Sequence, residues 1–189
     1  MRELFRLWSA HSLSLELKYR LYNCLVRPIL IYNCGTWAGP HSIFDQLDTF
    51  HRKHLRRLAG IHYPRIISNK SLYQMFDTHP LSWDVRRYRW YFLGHALRLP
   101  RDTPAQLMLD SYMVAPSYLK GRRGKHQTSL ISLLSTEFKA VTTRREYRQL
   151  GLQNMGQLNN MRSLANDRRR WTELSHDVCG KHNVFAATT

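Results

Sequence analysis

The sequence has few cysteines and no long hydrophobic run, and the two absences bear on where the protein works. Its three cysteines are Cys24, Cys34 and Cys179. Three cysteines do not form a disulfide framework, so they indicate a reducing compartment. The N-terminal stretch MRELFRLWSAHS lacks the apolar segment of a secretion signal. No segment reaches the roughly 18 apolar residues of a membrane span. We therefore expect an intracellular protein, nuclear or cytoplasmic.

Motifs for the common enzyme chemistries are also missing. The sequence contains no glycine-rich phosphate loop, no Gly-x-Ser-x-Gly motif and no two adjacent acidic residues. Its 13 acidic residues are scattered, so no cluster indicates a two-metal site. His176, Cys179 and His182 are three potential zinc ligands, but structural zinc usually takes four. The sequence therefore predicts no catalytic residue, no bound metal and no cofactor.

Positive charge is the strongest feature that the sequence does have. Lysine and arginine total 29 against 13 acidic residues, which gives a formal net charge of +16. Such an excess destabilises a compact chain by self-repulsion unless a polyanion neutralises it. Nucleic acid is the first expected partner. An anionic membrane surface is a less favoured candidate, and we expect no membrane partner. A generically basic protein is the remaining interpretation.

Helical periodicity runs through most of the chain, and 43% of the residues are hydrophobic. We predict an all-α protein of two small helical subdomains, residues 1–100 and 126–179. A basic linker at 101–125, which contains proline and glycine, joins them, and a frayed tail follows at 180–189.

Three helices carry specific predictions about burial and length. A stripe at i+4 spacing is expected to be buried in the first subdomain: Leu17, Leu21, Leu25 and Ile29, with Tyr22 and Val26 beside them. In a long helix at 84–99, Gly94 suggests close approach by another element, such as Trp90 or Trp37. This helix should bury one side and the positions adjacent to it: Val85, Tyr88, Phe92, Ala96 and Leu99, with Leu93 and Leu97 adjacent. One continuous last helix is expected from Gln157 to about Val178.

The stretch from Phe44 to Gly60 predicts an amphipathic helix. At about 100° per residue, five side chains fall within one sector: Phe44, Leu47, His51, Leu55 and Leu58. Gly60 follows the last apolar position and suits a helix C-cap. Four cations fall on the opposite side: Arg52, Lys53, Arg56 and Arg57. One side of this helix can enter a core while the other meets negative charge. A solvated cationic surface is the alternative.

Two further groups of cations are candidates for phosphate contact rather than base recognition. The predicted helix at 84–99 contributes Arg86, Arg87 and Arg98, and the glycine-containing tract KGRRGK contributes Lys120, Arg122, Arg123 and Lys125. For that tract, a disordered connector is the alternative. Neighbouring basic and aromatic residues, such as Arg89 with Trp90 or His62 with Tyr63, can also stack on bases. Burial in the core is favoured for Trp37, Trp90 and Trp171.

Five segments, in this order, resemble the C-terminal part of the reverse transcriptase of non-LTR (LINE-type) retrotransposons. They are KYRLYNCLVRPILIYNCGTW, FHRKHLRRLAGIHYPRIISNKSLY, RRYRWYFLGHALRLPRDTPA, KGRRGKHQTS and LANDRRRWTEL. Together they cover roughly residues 10–175. The sequence departs from the family pattern at Asn33 and Thr36, where glycine and glutamate are usual, and it lacks the Arg-Pro that commonly follows the glycine-arginine turn.

The resemblance implies a thumb, a helical element that holds the primer–template duplex behind the polymerase active site, and following segments that bind template RNA or target DNA. The catalytic acids of this RNA-directed DNA polymerase family lie in the palm, in an aromatic-x-Asp-Asp motif that this sequence lacks. The expected partners are therefore RNA, DNA or an RNA–DNA hybrid, bound without catalysis by the chain itself. A docking module for a separate reverse transcriptase core and a non-functional retrotransposon remnant are the alternatives.

Overall fold

Helices form every regular element in the described part of the chain. The structure, a computed structural model, describes residues 2–10, 12–115, 129–139 and 147–180. For these residues the predicted all-α fold is confirmed. A short 3₁₀ turn covers Cys34–Thr36. The α-helices are α1 Arg2–Ser9, α2 Leu15–Leu25, α3 Arg27–Leu30, α4 His41–Leu58, α5 Asn69–Met75, α6 Leu81–Arg98, α7 Pro104–Val114, α8 Leu130–Lys139, α9 Met155–Asn166 and α10 Arg168–Cys179.

The described residues divide into two compact units. Unit 1 comprises the residues up to Asn33 together with His41–Asp84, and unit 2 comprises Cys34–Pro40 together with the described residues from Val85 onward. The division falls inside α6 and not near residue 100, where the sequence predicted a boundary. Side-chain bonds explain the position: Asp84 accepts from Arg27 and His79 of unit 1, whereas Arg89 donates to Glu137 of unit 2.

Helix α7 lies within the residues that the sequence assigned to a linker. Pro104 occupies its first turn, and Thr103 at the N-cap position has extended dihedral angles of −70° and 146°. Proline is well suited to the first helical turn, because the amide hydrogen it lacks has no partner there. The linker prediction is therefore wrong for residues 104–114. Its remaining part at 116–125 and the tail at 181–189 lie outside the described residues.

Unit 1 is built around α4, which packs against α1, α2 and α5. Its core combines aromatic and aliphatic side chains: Trp8, Tyr22, Val26, Leu55, Leu58, Ile61, Leu72, Tyr73 and Phe76. Two serines cap the shorter helices. The Ser14 hydroxyl accepts from the Leu17 amide at 3.2 Å, and the Ser68 hydroxyl accepts from the Ser71 amide at 3.0 Å. These caps fix where α2 and α5 begin.

The buried side of α2 and α3 matches the predicted one only in part. Leu17, Leu25 and Ile29 are 42%, 45% and 79% exposed. Tyr22 and Val26, which were predicted beside that stripe, are buried, and Leu21 packs against the core partly buried. The Tyr22 hydroxyl lies 2.9 Å from His51 Nδ1, so the polar end of this ring has a partner inside the core. A large ring with a satisfied hydroxyl gains more from burial than the leucine stripe does.

In unit 2, α6 buries only part of the predicted side. Its buried residues include Val85, Trp90, Leu93, Ala96 and Leu97. Tyr88 and Phe92, expected inside, are 41% and 40% exposed. The reason is Trp90, which is fully buried and donates from its indole nitrogen to Glu137 Oε2 at 2.9 Å. Orienting Trp90 inward turns the Tyr88 side outward.

The predicted last helix is two helices. It breaks at Asp167, whose carboxylate accepts from the backbone amides of Arg169 at 3.0 Å and Arg170 at 3.2 Å. Asp167 is therefore the N-cap of α10. The continuous apolar spacing across Asn166 and Asp167 concealed this cap, and the prediction of one helix from Gln157 to Val178 is wrong.

Candidate nucleic-acid interface

Helix α4 has the two sides that its sequence predicts. Phe44, His51, Leu55 and Leu58 are buried, and Leu47 is partly buried. The helix ends in a left-handed turn at Gly60, which has a φ of 63°. Its last carbonyls are satisfied there, because the Gly60 amide donates to Arg57 O and the Ile61 amide donates to Arg56 O. This anchoring fixes the orientation of the opposite side.

The four cations of α4 lie on that opposite side. Lys53 is exposed, while Arg52, Arg56 and Arg57 are partly exposed. Arg52 donates to the Thr49 hydroxyl at 2.9 Å, and Arg56 donates to Asn69 Oδ1 at 2.7 Å. Within the described residues, Arg52, Lys53 and Arg56 form no ion pair with an acidic side chain. Arg52 nevertheless acts on the Asp48 carboxylate, because its charge opposes the rise that burial produces in the pKa of Asp48. Among the residues that the structure describes, no carboxylate is bonded to Lys53 or Arg56.

The predicted cations of α6 belong to unit 2 and have partners there. Arg86 Nε lies 3.7 Å from Glu137 Oε1. The Arg87 guanidinium lies over the rings of Tyr88 and Tyr91, at 5.5 and 5.9 Å from their centroids. Arg98 donates to Ala165 O at 3.1 Å, and burial, followed by the charge of Arg168, lowers its pKa. These contacts give Arg86 and Arg98 structural roles inside unit 2. The third predicted group, Lys120, Arg122, Arg123 and Lys125, lies outside the described residues.

The two pairs of adjacent basic and aromatic residues, Arg89 with Trp90 and His62 with Tyr63, differ in their exposure to solvent. Arg89 and Trp90 are buried, and both donate to Glu137, so this pair is not open to nucleic acid. Tyr63 is 91% exposed in the loop after α4 and follows His62. Burial of Trp90 and Trp171 was predicted and is confirmed, whereas Trp37 is only partly buried.

A cavity in unit 1 was not predicted. It has a volume of about 580 Å³ and lies among α1, α2 and the C-terminal end of α4. Its lining includes Trp8, Leu15, Lys18, Arg57, Leu58 and His62. Arg57 is one of the phosphate ligands predicted from the sequence. No sequence signal relates Lys18 to Arg57, because their proximity depends on the packing of α2 against α4.

A cluster of polar side chains lies inside unit 1: His51 of α4 with Tyr22, and Asp84 with Arg27 and His79. Burial, followed by the charge of Arg27, lowers the pKa of His51 to about 3, so its ring is neutral near pH 7. Its Nδ1 pairs with the Tyr22 hydroxyl, whose pKa is raised by burial. Burial would raise the pKa of Asp84, but the hydrogen bond from His79 and the charge of Arg27 bring it below its usual value. Both rings of the His51–Tyr22 pair are fully buried, so the pair supports the fold rather than contacting a substrate.

Neither a metal-binding group of side chains nor a membrane-spanning helix occurs in the described part of the chain. There, no group of three histidine, cysteine or acidic side chains is arranged to hold a metal ion. His182, one of the three potential zinc ligands, lies outside this part of the chain. No described helix combines the length and apolar character needed to cross a membrane. Comparison with protein-family models, with curated proteins and with solved structures finds no match to the chain.

Proposed function

We propose that this chain binds RNA, DNA or an RNA–DNA hybrid through phosphate contacts, without catalytic residues of its own. The role corresponds to the thumb and post-thumb region of a non-LTR retrotransposon reverse transcriptase, which five segments of the sequence resemble. The observation that carries the proposal is α4: one side is fixed in the core of unit 1, and the other presents Arg52, Lys53, Arg56 and Arg57.

The state of these charges supports phosphate binding. A cation paired with a carboxylate must give up that partner to bind a polyanion, whereas Arg52, Lys53 and Arg56 have no such partner among the described residues. Each phosphate contact releases condensed counterions from the nucleic acid, which supplies sequence-independent affinity. Arg86 is already paired with Glu137. We therefore rank the α4 cations above those of α6.

The contacts of the acidic residues support binding rather than catalysis. Asp48 accepts from Ser82, Asp84 from Arg27 and His79, and Asp110 from Arg162. These carboxylates are engaged in holding helices together. Metal-dependent nucleotide transfer requires carboxylates that converge on a metal pair, and these partners commit the buried acids elsewhere.

The salt dependence of binding tests the proposal. The logarithm of the affinity for a short duplex should fall linearly with the logarithm of the salt concentration. The double variant Lys53→Ala/Arg57→Ala should lower that slope by about two, roughly 0.9 for each phosphate that is no longer neutralised. The full set, including Arg52→Ala and Arg56→Ala, should lower it further.

The matched control is Arg169→Ala/Arg170→Ala, which removes the same formal charge from exposed positions of α10. If the control lowers the slope as much as the α4 double variant, net charge alone governs binding. If the quadruple α4 variant keeps the parental slope, the phosphate assignment is wrong.

Docking on a separate polymerase core is the second candidate, and one observation favours it. The outer sides of α2 and α3 and the residues after them expose apolar side chains, including Leu25, Ile29 and Tyr32, the last two at 79% and 78%. Apolar side chains grouped on one surface are typical of protein interfaces. Co-purification with a reverse transcriptase core, abolished by Ile29→Ser, would favour docking. Salt-sensitive binding of naked nucleic acid that survives Ile29→Ser would favour the first proposal.

A further inference from the structure

The cavity beside the end of α4, here called the Trp8 cavity, combines two kinds of wall. Trp8 and Leu58 belong to the core of unit 1 and form apolar wall, and Leu15 adds to it from the start of α2. Lys18 and Arg57 line the same space with cationic side chains. A ligand that satisfies both must carry an apolar body and a negative charge.

The size of the cavity restricts the ligand further. Small-molecule sites usually enclose about 300–1,000 Å³, and the Trp8 cavity has about 580 Å³. One nucleotide fits these limits, because a base is a flat, largely apolar body attached through a sugar to an anionic phosphate. Inorganic phosphate would leave the apolar wall uncovered, and a nucleoside would bring no negative charge to Lys18.

The loop after α4 indicates that the nucleotide belongs to a strand. His62 lines the cavity, and the next residue, Tyr63, is 91% exposed. Proteins that bind single strands place exposed aromatic rings beside cationic grooves, where successive bases stack on them. An exposed ring adjacent to a one-nucleotide cavity provides a place for the neighbouring base.

We infer that the Trp8 cavity binds one unstacked nucleotide of a single-stranded nucleic acid, with the phosphate at Lys18 and Arg57 and the base against Trp8, Leu15 and Leu58. The inference rests on the proposed nucleic-acid binding and deepens it, because Arg57 also belongs to the α4 cations. It adds Lys18 as a ligand and assigns single-strand binding to this end of α4.

The ligand can be tested on the full chain with fluorotryptophan and fluorine NMR. The chain has five tryptophans, and Trp8→Phe identifies the Trp8 resonance. Titration with AMP should shift that resonance saturably, and adenosine and inorganic phosphate should each bind at least about tenfold more weakly. An unshifted Trp8 resonance at millimolar AMP would overturn the inference. Inorganic phosphate binding as well as AMP would overturn it too, because the apolar wall would then contribute nothing.

A second arm separates a strand from a free nucleotide. A single-stranded DNA oligomer should displace AMP and shift the same Trp8 resonance. Failure of the oligomer to compete would mean that the cavity takes free nucleotides only, and the single-strand assignment would be wrong. Both titrations use the unaltered chain, so they decide between these outcomes even if a variant does not fold.

Variants then assign the residues. Lys18→Ala should weaken AMP binding by about tenfold, whereas Arg20→Ala, an equal charge loss at an exposed position of the same helix and outside the cavity lining, should leave it unchanged. Leu15→Trp should block AMP without altering net charge. Equal losses for Lys18→Ala and Arg20→Ala would mean that general electrostatics governs the binding of AMP, and would overturn the site.

The cavity and the proposed function can fail separately. If duplex binding keeps its expected dependence on the α4 cations but AMP does not bind, the cavity inference alone is wrong. If AMP binds and the α4 variants keep the parental salt slope, the duplex proposal is wrong and the cavity remains a nucleotide site.

Discussion

Gly94 shows how one absent methyl group determines the packing of unit 2. The Trp171 ring crosses α6 at this residue, so a Cβ atom on Gly94 would overlap the indole, 2.6 Å from Trp171 Cε2 and 2.7 Å from Cδ1. The indole nitrogen between these two atoms donates to Trp90 O at 3.1 Å. Glycine therefore allows both the close packing of Trp171 and its hydrogen bond. These two contacts offset the cost of about 1 kcal/mol that glycine has in a helix interior.

Gly94→Ala should consequently destabilise the protein despite the better helix propensity of alanine. Displacing the buried Trp171 ring should cost about 2–3 kcal/mol in the free energy of unfolding, the usual scale for an overpacked core. Urea denaturation measures this. Gly156→Ala is the control, because its Cβ would meet only Asn154 Oδ1 at 3.4 Å, and it should be neutral or slightly stabilising. If both variants behave alike, the contact with Trp171 does not restrict Gly94.

The sequence predicted a close approach at Gly94 but not its partner. A glycine in the middle of a helix signals that something packs there, and the expected neighbours were Trp90 and Trp37. The actual neighbour, Trp171, is on α10, and nothing in local periodicity connects α6 with that helix. At the residue scale, spacing therefore predicts where packing is tight, while the partner depends on tertiary structure.

At the scale of helices, α8 is attached to α6 through one carboxylate. Glu137 of α8 accepts from Arg89 and, at 2.9 Å, from the Trp90 indole nitrogen. Arg89 is 2% exposed. Burial lowers the pKa of its guanidinium, and the charge of Glu137 opposes that shift. The ion pair between Arg89 and Glu137 therefore compensates the buried charge of Arg89 and fixes the position of α8.

Glu137→Ala should leave the buried charge of Arg89 without its partner. The free energy of unfolding should fall by about 3–5 kcal/mol, the scale for losing one partner of a buried ion pair. Replacing both groups, as in Arg89→Met/Glu137→Leu, should restore much of the stability, because the buried charge is also removed. Glu173→Ala is the control. Its pairing with Arg169 at 3.4 Å is exposed, so little change is expected. Thermal denaturation compares the three, and equal losses in Glu137→Ala and Glu173→Ala would contradict this role.

Helix α4 was the most predictable element, and the reasons are physical. Its apolar and cationic residues are separated by side, and a left-handed glycine marks its end, so periodicity alone gives both sides. Helix α6 carries aromatic residues on several sides, and hydrophobicity cannot choose among them. Its orientation is decided by the hydrogen bond from Trp90 to Glu137, which depends on α8. The stop at Asp167 was equally hidden, because a cap signal there competes with continuous apolar spacing.

At the scale of the molecule, the all-helical class followed from periodicity and composition, but the division into two units did not. The boundary crosses a continuous helix between Asp84 and Val85. It depends on which unit holds the charged side chains of that helix: Asp84 is bound by Arg27 and His79, and Arg89 by Glu137. Pairings between distant residues leave no trace in a local pattern. The Trp8 cavity could not be predicted for the same reason, because its lining residues come from segments that are distant from one another in the sequence.

The two units should respond differently to acid. His51 in unit 1 is fully buried, with a pKa near 3 against an ordinary value of 6.5. Between these values the unfolded chain binds a proton that the folded chain does not, so the free energy of unfolding falls as the pH is lowered from about 6.5. At about pH 4.5 the loss should reach roughly 2–3 kcal/mol, at 1.4 kcal/mol per unit of pKa difference. His54, whose pKa is also lowered by burial, acts in the same direction.

Two carboxyl groups of unit 1, Asp84 and Asp48, also contribute to the pH dependence, and they act in opposite directions. The lowered pKa of Asp84 removes stability below its ordinary value of 3.8. Burial raises the pKa of Asp48, so above 3.8 the folded chain takes up this proton before the unfolded chain does. Lowering the pH therefore adds stability through Asp48, in opposition to His51. Among the described residues of unit 2, both histidines, His95 and His176, are exposed and keep their contact with water in the folded state. Above about pH 4.5, acid should therefore weaken unit 1 first.

Amide hydrogen exchange at about pH 5 and 7, corrected for the intrinsic exchange rate, measures how far acid weakens each unit. Amide protection should fall in α2, α4 and α5 and persist in α9 and α10, since local stability need not be uniform. His51→Asn retains an acceptor near the Tyr22 hydroxyl but cannot be protonated there, so it should remove most of the pH dependence, whereas His95→Asn should not. An unchanged pH dependence in His51→Asn would exclude the buried imidazole as its source. Equal loss of protection in α10 would mean that the continuous helix α6 couples the unfolding of the two units.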